Sequence, residues 1–201
     1  MSFINLFKTK NFEIGHGLST RSYGGIIRQL NLEEFWRSLT DKEKNMVRNV
    51  CKRSYGLSGF KIDEVDSYES SLTTRREASA FLLGIGIWTF EMERYDLTEK
   101  LLLKAIEMSK NLATVHRCYT WLIKIHDKLR LDNHRSVDEC ISYCKQDIAI
   151  LPLLFDENEQ HNRQHLNLIP FTVLMKIYNE LGYEHEYNET ENLYQYYKSL
   201  I

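Results

Sequence analysis

The chain has 201 residues, a formal net charge of −2 and a hydrophobic content of 43%. That composition excludes a mainly disordered or collagen-like polymer, and the near-neutral charge argues against nucleic acid as a partner. The longest apolar run, Ala80 to Trp88, falls far short of the roughly twenty residues that span a bilayer, so no membrane segment is expected.

The N-terminal sequence lacks the long apolar core of a signal peptide, and four cysteines are too sparse for a disulfide scaffold. The expected compartment is the reducing cytoplasm. Only Pro152 and Pro170 occur, which leaves long stretches free to be helical.

Residues 1–30 are expected to be an irregular N-terminal segment, with Gly15, Gly17, Gly24 and Gly25 among its residues. No Gly-Lys-Ser/Thr follows them, so a phosphate loop is not supported. The glycines instead suit positive backbone angles or close approach, with Arg21, Ser22 and Tyr23 as conceivable contacts. From Asn31 onward, capping-box pairs recur: Asn31/Glu34, Thr40/Glu43, Thr74/Glu77, Asp96/Glu99, Ser136/Glu139 and Asn188/Glu191. Apolar residues recur at helical period behind them, for example Ala78, Phe81, Leu82, Ile85, Trp88 and Met92, then Val115, Cys118, Tyr119, Leu122, Ile125 and Leu129. Helices are predicted near 32–39, 41–54, 75–92, 97–110, 114–130, 137–151, 170–181 and 189–200. Gly56 suits a helix end, and Pro170 a first turn.

Residues 31–56 read as a two-helix cap. Residues 57–73, with Lys61, Asp63, Glu64 and Asp66, read as a solvated linker. Residues 153–169 are a second long connection, where Asp156 with Glu159 could start a short helix. Residues 75–201 divide into helix–turn–helix units at 75–110, 114–151 and 170–200.

The first unit resembles a tetratricopeptide repeat (TPR): Leu82, Ile85 and Gly86 match its large–large–small signature, Tyr95 its aromatic near the turn, and Ala105 its second small position. Thr98 and Leu102 depart from the usual alanine and aromatic. The second unit has Tyr119, Leu122, Cys140, Cys144, Ile148 and Pro152 in place, but Asp147 stands where a small alanine is expected. In the third, Phe171, Leu174, Tyr178 and Gly182 keep the register, while Tyr187, Tyr194 and Tyr197 replace small residues, as suits a terminal repeat. The whole chain is similar to a group of small bacterial TPR-like proteins that share a segment like 17–25 and a pair like Phe35-Trp36. The resemblance implies an all-α, right-handed stack of helical hairpins, a short α-solenoid with an N-terminal helical cap, in one compact domain. It implies no particular activity.

In such a stack the first helix of each pair lines a concave face. The register places Leu83, Ile87 and Phe90 there in the first unit, where the cap is expected to cover them unless they form a groove for a partner helix. It places Arg117, Thr120, Lys124 and Lys128 there in the second unit, and Thr172, Lys176 and Asn179 in the third. This cationic strip would attract a carboxylate or an acidic peptide segment.

The expected function is therefore non-catalytic protein or peptide binding. The alternative is a small-molecule or signal-peptide sensor with its ligand in the groove and 153–169 as a lid. Cys140 and Cys144, one turn apart and grouped with His126 or Cys118, fit a buried core better than a zinc site. His161 and His165 lack the order of a metalloprotease motif. Trp36, Trp88 and Trp121 read as core anchors. No catalytic residue, metal or cofactor is expected.

Overall fold

The computed structural model describes residues 23–54, 59, 61–131, 134–157 and 166–201. They are helical, with no strand among them: α1 (Gly25–Gln29), α2 (Glu33–Ser38), α3 (Asp41–Ser54), a 3-10 turn (Ile62–Val65), α4 (Ala78–Glu91), α5 (Tyr95–Met108), α6 (Leu112–Leu129), α7 (His134–Glu157), α8 (Ile169–Leu181) and α9 (Glu184–Ser199). Gly15, Gly17, Arg21, Ser22, Gly56, His161 and His165 lie outside the described residues. No helix among the described residues is long and apolar enough to cross a membrane.

Three differences from the predicted elements stand out, the first two with physical causes. The stretch expected to be irregular contains α1, whose Ile26 and Ile27 are buried in the main core. Helix α7 runs through Pro152 to Glu157, so Asp156 continues it rather than starting another. An interior proline costs about 3 kcal/mol. The turn beyond it buries Leu154 and Phe155 against Phe171 and Tyr197, and two such side chains contribute about 1.5–3 kcal/mol each, enough to offset the break. Helix α9 begins at Glu184 rather than near 189.

Of the six capping pairs, Thr40/Glu43 forms the reciprocal box: Thr40 N–H donates to Glu43 Oε2 at 2.7 Å, and Glu43 N–H donates to Thr40 Oγ1 at 3.3 Å. Asn31 has φ 55°, outside the cap conformation, and Thr74 precedes a helix whose cap residue is Glu77. Asp96, Ser136 and Asn188 lie within their helices. A cap the pattern missed is Asn111, whose side chain accepts Thr114 N–H at 3.0 Å; no Glu or Gln follows at the third place to mark it.

Lys100 Nζ also donates to Glu43 Oε1, at 2.7 Å. Burial raises the Glu43 carboxyl, but the bonds from Lys100 and Thr40 together outweigh it and hold the group below its ordinary 4.5. A depressed folded-state value gives stability that is complete above pH 4.5 and lost as pH falls through the folded-state value. Glu43→Gln is expected to cost about 1 kcal/mol at neutral pH and progressively less in acid, as urea unfolding at the two pH values would measure.

Helices α4 and α5, α6 and α7, and α8 and α9 pack as pairs that are consecutive in the chain. Successive pairs join through α5 on α6 and α7 on α8, while the first helices also touch, α4 on α6 and α6 on α8. Close approach within the first pair uses Gly86, where a Cβ would meet Leu102 Cδ2 at 3.0 Å. Thr98 fills the usual alanine position with its hydroxyl 2.9 Å from Thr89 Oγ1. Asp147, the unexpected residue of the second pair, is fully buried and binds His116 Nδ1 at 2.8 Å. His116 Nε2 accepts the backbone N–H of Asn167 at 3.1 Å, which puts the ring proton on Nδ1, facing the carboxylate. Burial pushes the Asp147 carboxyl up, against the pull of His116.

The main core unites the N-terminal helices with the first pair: Ile26, Leu32, Trp36, Val47 and Val50 share a cluster with Phe81, Leu82, Leu83, Ile85 and Leu101. Leu83 is thus buried, while Ile87 and Phe90 are half-buried. Residues 57–73 are not simply a solvated linker. Val65 and Asp66 are buried, and Asp66 accepts Trp36 Nε1 at 2.8 Å and Arg48 Nε and Nη2 at 2.8 and 2.6 Å. Gly24 and Gly25 press against the same segment and donate their N–H groups to Asp66 O and Ser70 O. Those two amides are therefore spent on packing. Of the three tryptophans, Trp36 is the core anchor; Trp121 is half-buried, and Trp88 is 47% exposed.

Candidate functional site

Helix α6 has α4, α5, α7 and α8 against it, which leaves one narrow stripe for solvent. Along it run Arg117, Trp121, Lys124 and Lys128, at intervals of four, three and four residues, with the part-exposed Asp127 at its edge. Thr120, expected on the strip, is instead buried, with its hydroxyl donating to His116 O at 3.0 Å. With neighbours on four sides, α6 buries more of its circumference than an alternating helix would, and Thr120 falls inside. On α8, Thr172, Lys176 and Asn179 are exposed as expected. The Thr172 hydroxyl donates to Ile169 O at 3.0 Å, and the Asn179 carbonyl accepts Gly182 N–H at the helix end.

Trp121 is the member that sequence reasoning placed in the core. It packs edge-on against Phe90 of α4, with ring centroids 4.9 Å apart, and Phe90 contacts Tyr95 at 5.6 Å. Lys124 Nζ stands 4.1 Å above the indole. A cation over an indole face gains electrostatically and stays available to solvent on its other side. The signal was present in the spacing, since residue 121 falls with 117, 124 and 128 and off the apolar stripe at 118, 122, 125 and 129.

The cations differ in what already holds them. Lys128 Nζ donates to Tyr95 OH at 2.5 Å and to Glu93 Oε1 at 3.0 Å, which raises the lysine and lowers the glutamate. Glu93 reaches it from a left-handed backbone, φ 57°, at the α4–α5 turn. Lys176 lies 3.7 Å from Asp127 Oδ1. Asp127 also accepts Arg130 Nε at 2.6 Å, and the Arg130 guanidinium forks onto Glu180. That fork holds the Glu180 carboxyl below its ordinary range. For Arg117 and Lys124, no carboxylate partner is seen among the described residues. Among the described residues the strip thus offers two cations without a carboxylate partner flanking an aromatic ring, and two more whose charge is largely answered.

Reactive groups elsewhere are subdued. All four cysteines are free and buried. Burial pushes the Cys51 and Cys118 thiols up to about 12, and the adjoining Cys140 thiol together with burial raises Cys144 further. His126, which the sequence grouped with those cysteines, stands with Glu99 and Glu139; their ligand atoms lie within 4.8 Å of one another. No family model, curated protein or solved structure matches the chain.

Proposed function

We propose that the chain is a non-catalytic interaction module, a TPR-like right-handed stack of helical hairpins that takes an acidic protein or peptide segment on the concave, solvent-facing strip of α6 and α8. The observation that carries this reading is the placement of Arg117 and Lys124 astride the half-buried Trp121, with no carboxylate to answer them among the described residues. Trp and Arg are the side chains most often found at the energetic centre of an interface. Lys128, Lys176, Thr172 and Asn179 extend the surface with polar and partly neutralised groups that would fix orientation rather than supply affinity. The pairing order α4–α5–α6–α7–α8–α9, with contacts between the first helices, supports the TPR-like arrangement.

The test uses a fluorescent Glu-rich peptide with a free C-terminal carboxylate and measures anisotropy. The wild-type protein should give saturable binding that weakens as salt rises past about 0.1 M, where the screening length is about 10 Å. Arg117→Glu with Lys124→Glu should weaken binding at least tenfold, about 1.4 kcal/mol, at an unchanged melting temperature. Absence of saturable binding, or equal affinity of the variant, contradicts the reading.

A further inference from the structure

We propose that Glu99, His126 and Glu139 bind a first-row divalent cation of the zinc class in the cleft between α5, α6 and α7. The three side chains offer one imidazole nitrogen and two carboxylate oxygens, all within 4.8 Å of one another. That donor set is borderline in softness: imidazole suits zinc and its first-row neighbours, and carboxylates neutralise the dication.

His126 supplies the second, independent observation. Its side chain is only 3% exposed, and Nδ1 has no hydrogen-bond partner. Nε2 lies 3.3 Å from Glu99 Oε1 and Nδ1 lies 3.3 Å from Glu139 Oε2, so the ring stands between the two carboxylates. A ring nitrogen beside a carboxylate oxygen is answered by a cation between them, a proton or a metal ion. Two ligands held about 2.1 Å from a tetrahedral ion stand about 3.4 Å apart, close to the separation found here. The buried, orphaned nitrogen and the carboxylate are thus already spaced to share an ion.

The surroundings fit the same role. Tyr143 OH donates to Glu99 Oε1 at 3.0 Å and orients that carboxylate, as outer-shell groups do at metal sites. Glu99 and Glu139 each make further contacts, so the ion would share carboxylate oxygens already held in place. Both are about a quarter exposed, which leaves an entry path and room for solvent at the remaining coordination position. Because the ligands come from three helices of two successive hairpins, the ion would lock those hairpins together.

The experiment uses the full chain, treated with chelator and then titrated with Zn2+ by calorimetry and by thermal unfolding. Expected are one saturable site and a melting temperature raised by about 5–10 °C at a hundredfold excess over Kd. Glu139→Gln, which changes a partly exposed carboxylate at constant shape, should weaken Zn2+ binding at least tenfold while leaving the metal-free melting temperature nearly unchanged. His126→Gln should abolish it; if that variant fails to fold, Glu139→Gln alone decides. Co2+ should give the visible absorption of a tetrahedral nitrogen–oxygen site in the wild type and lose it in Glu139→Gln. No saturable Zn2+ binding, binding unchanged by Glu139→Gln, or the near-ultraviolet bands of thiolate ligation would each overturn the proposal.

Discussion

Replacing Asp66 by alanine is expected to cost about 3–5 kcal/mol and to lower the melting temperature by roughly 6–20 °C. Asp66 is 4% exposed and accepts three hydrogen bonds, from Trp36 Nε1 and from the Nε and Nη2 of Arg48. Removing the carboxylate strands a guanidinium and an indole N–H in a site built for them. Arg48 is 21% exposed and can recover part of its hydration, which places the effect toward the lower end of the range. The same change unties residues 62–66 from α2 and α3, so Trp36 fluorescence should report a loosened N-terminal core before global unfolding. Asp66→Asn should fall between, since an amide oxygen still accepts from the indole but no longer balances Arg48. A cost under about 1 kcal/mol for Asp66→Ala in urea titration would show that this clamp does not hold the N-terminal helices.

Gly25→Ala is expected to be nearly as severe, at about 3–4 kcal/mol. A Cβ there would lie 2.3 Å from Glu64 O and 2.7 Å from Val65 O, and both obstacles are backbone. The chain would have to separate by about 1 Å to reach ordinary contact, breaking the Gly25 N–H bond to Ser70 O. The residue also has φ +55°, which costs a residue with a Cβ about 1–2 kcal/mol by itself. Gly182→Ala is the control: φ is +73°, but nothing lies within 4 Å of the added carbon. It should lose only the conformational part. Comparable melting temperatures for the two variants would mean that close approach contributes nothing at Gly25.

The long helices were readable because period and composition agree in them. Helices α3, α5, α6 and α8 carry apolar residues at three- and four-residue spacing, and their bounds fall within two residues of those predicted. Helix α1 was not readable: five residues make no period, and its helix is held by burial of Ile26 and Ile27. The last turn of α7 was hidden by Pro152, a local rule overridden by tertiary burial of Leu154 and Phe155. The cations of the candidate surface were visible as polar residues on otherwise apolar helices. Their partners were not, because Glu93 and Asp127 reach Lys128 and Lys176 through turns and neighbouring helices. Glu99, His126 and Glu139 stand on three helices, so no spacing along the chain could join them.

The solvent-facing strip of α6 and α8 is tested most directly by a heteronuclear NMR titration of the full chain with the Glu-rich peptide. Saturable shift changes are expected at Arg117, Trp121 and Lys124, weaker ones at Thr172, Lys176 and Asn179, and none at the exposed residues of α9. Changes confined to α9 or to the opposite side of the stack, or no change at all, would contradict it.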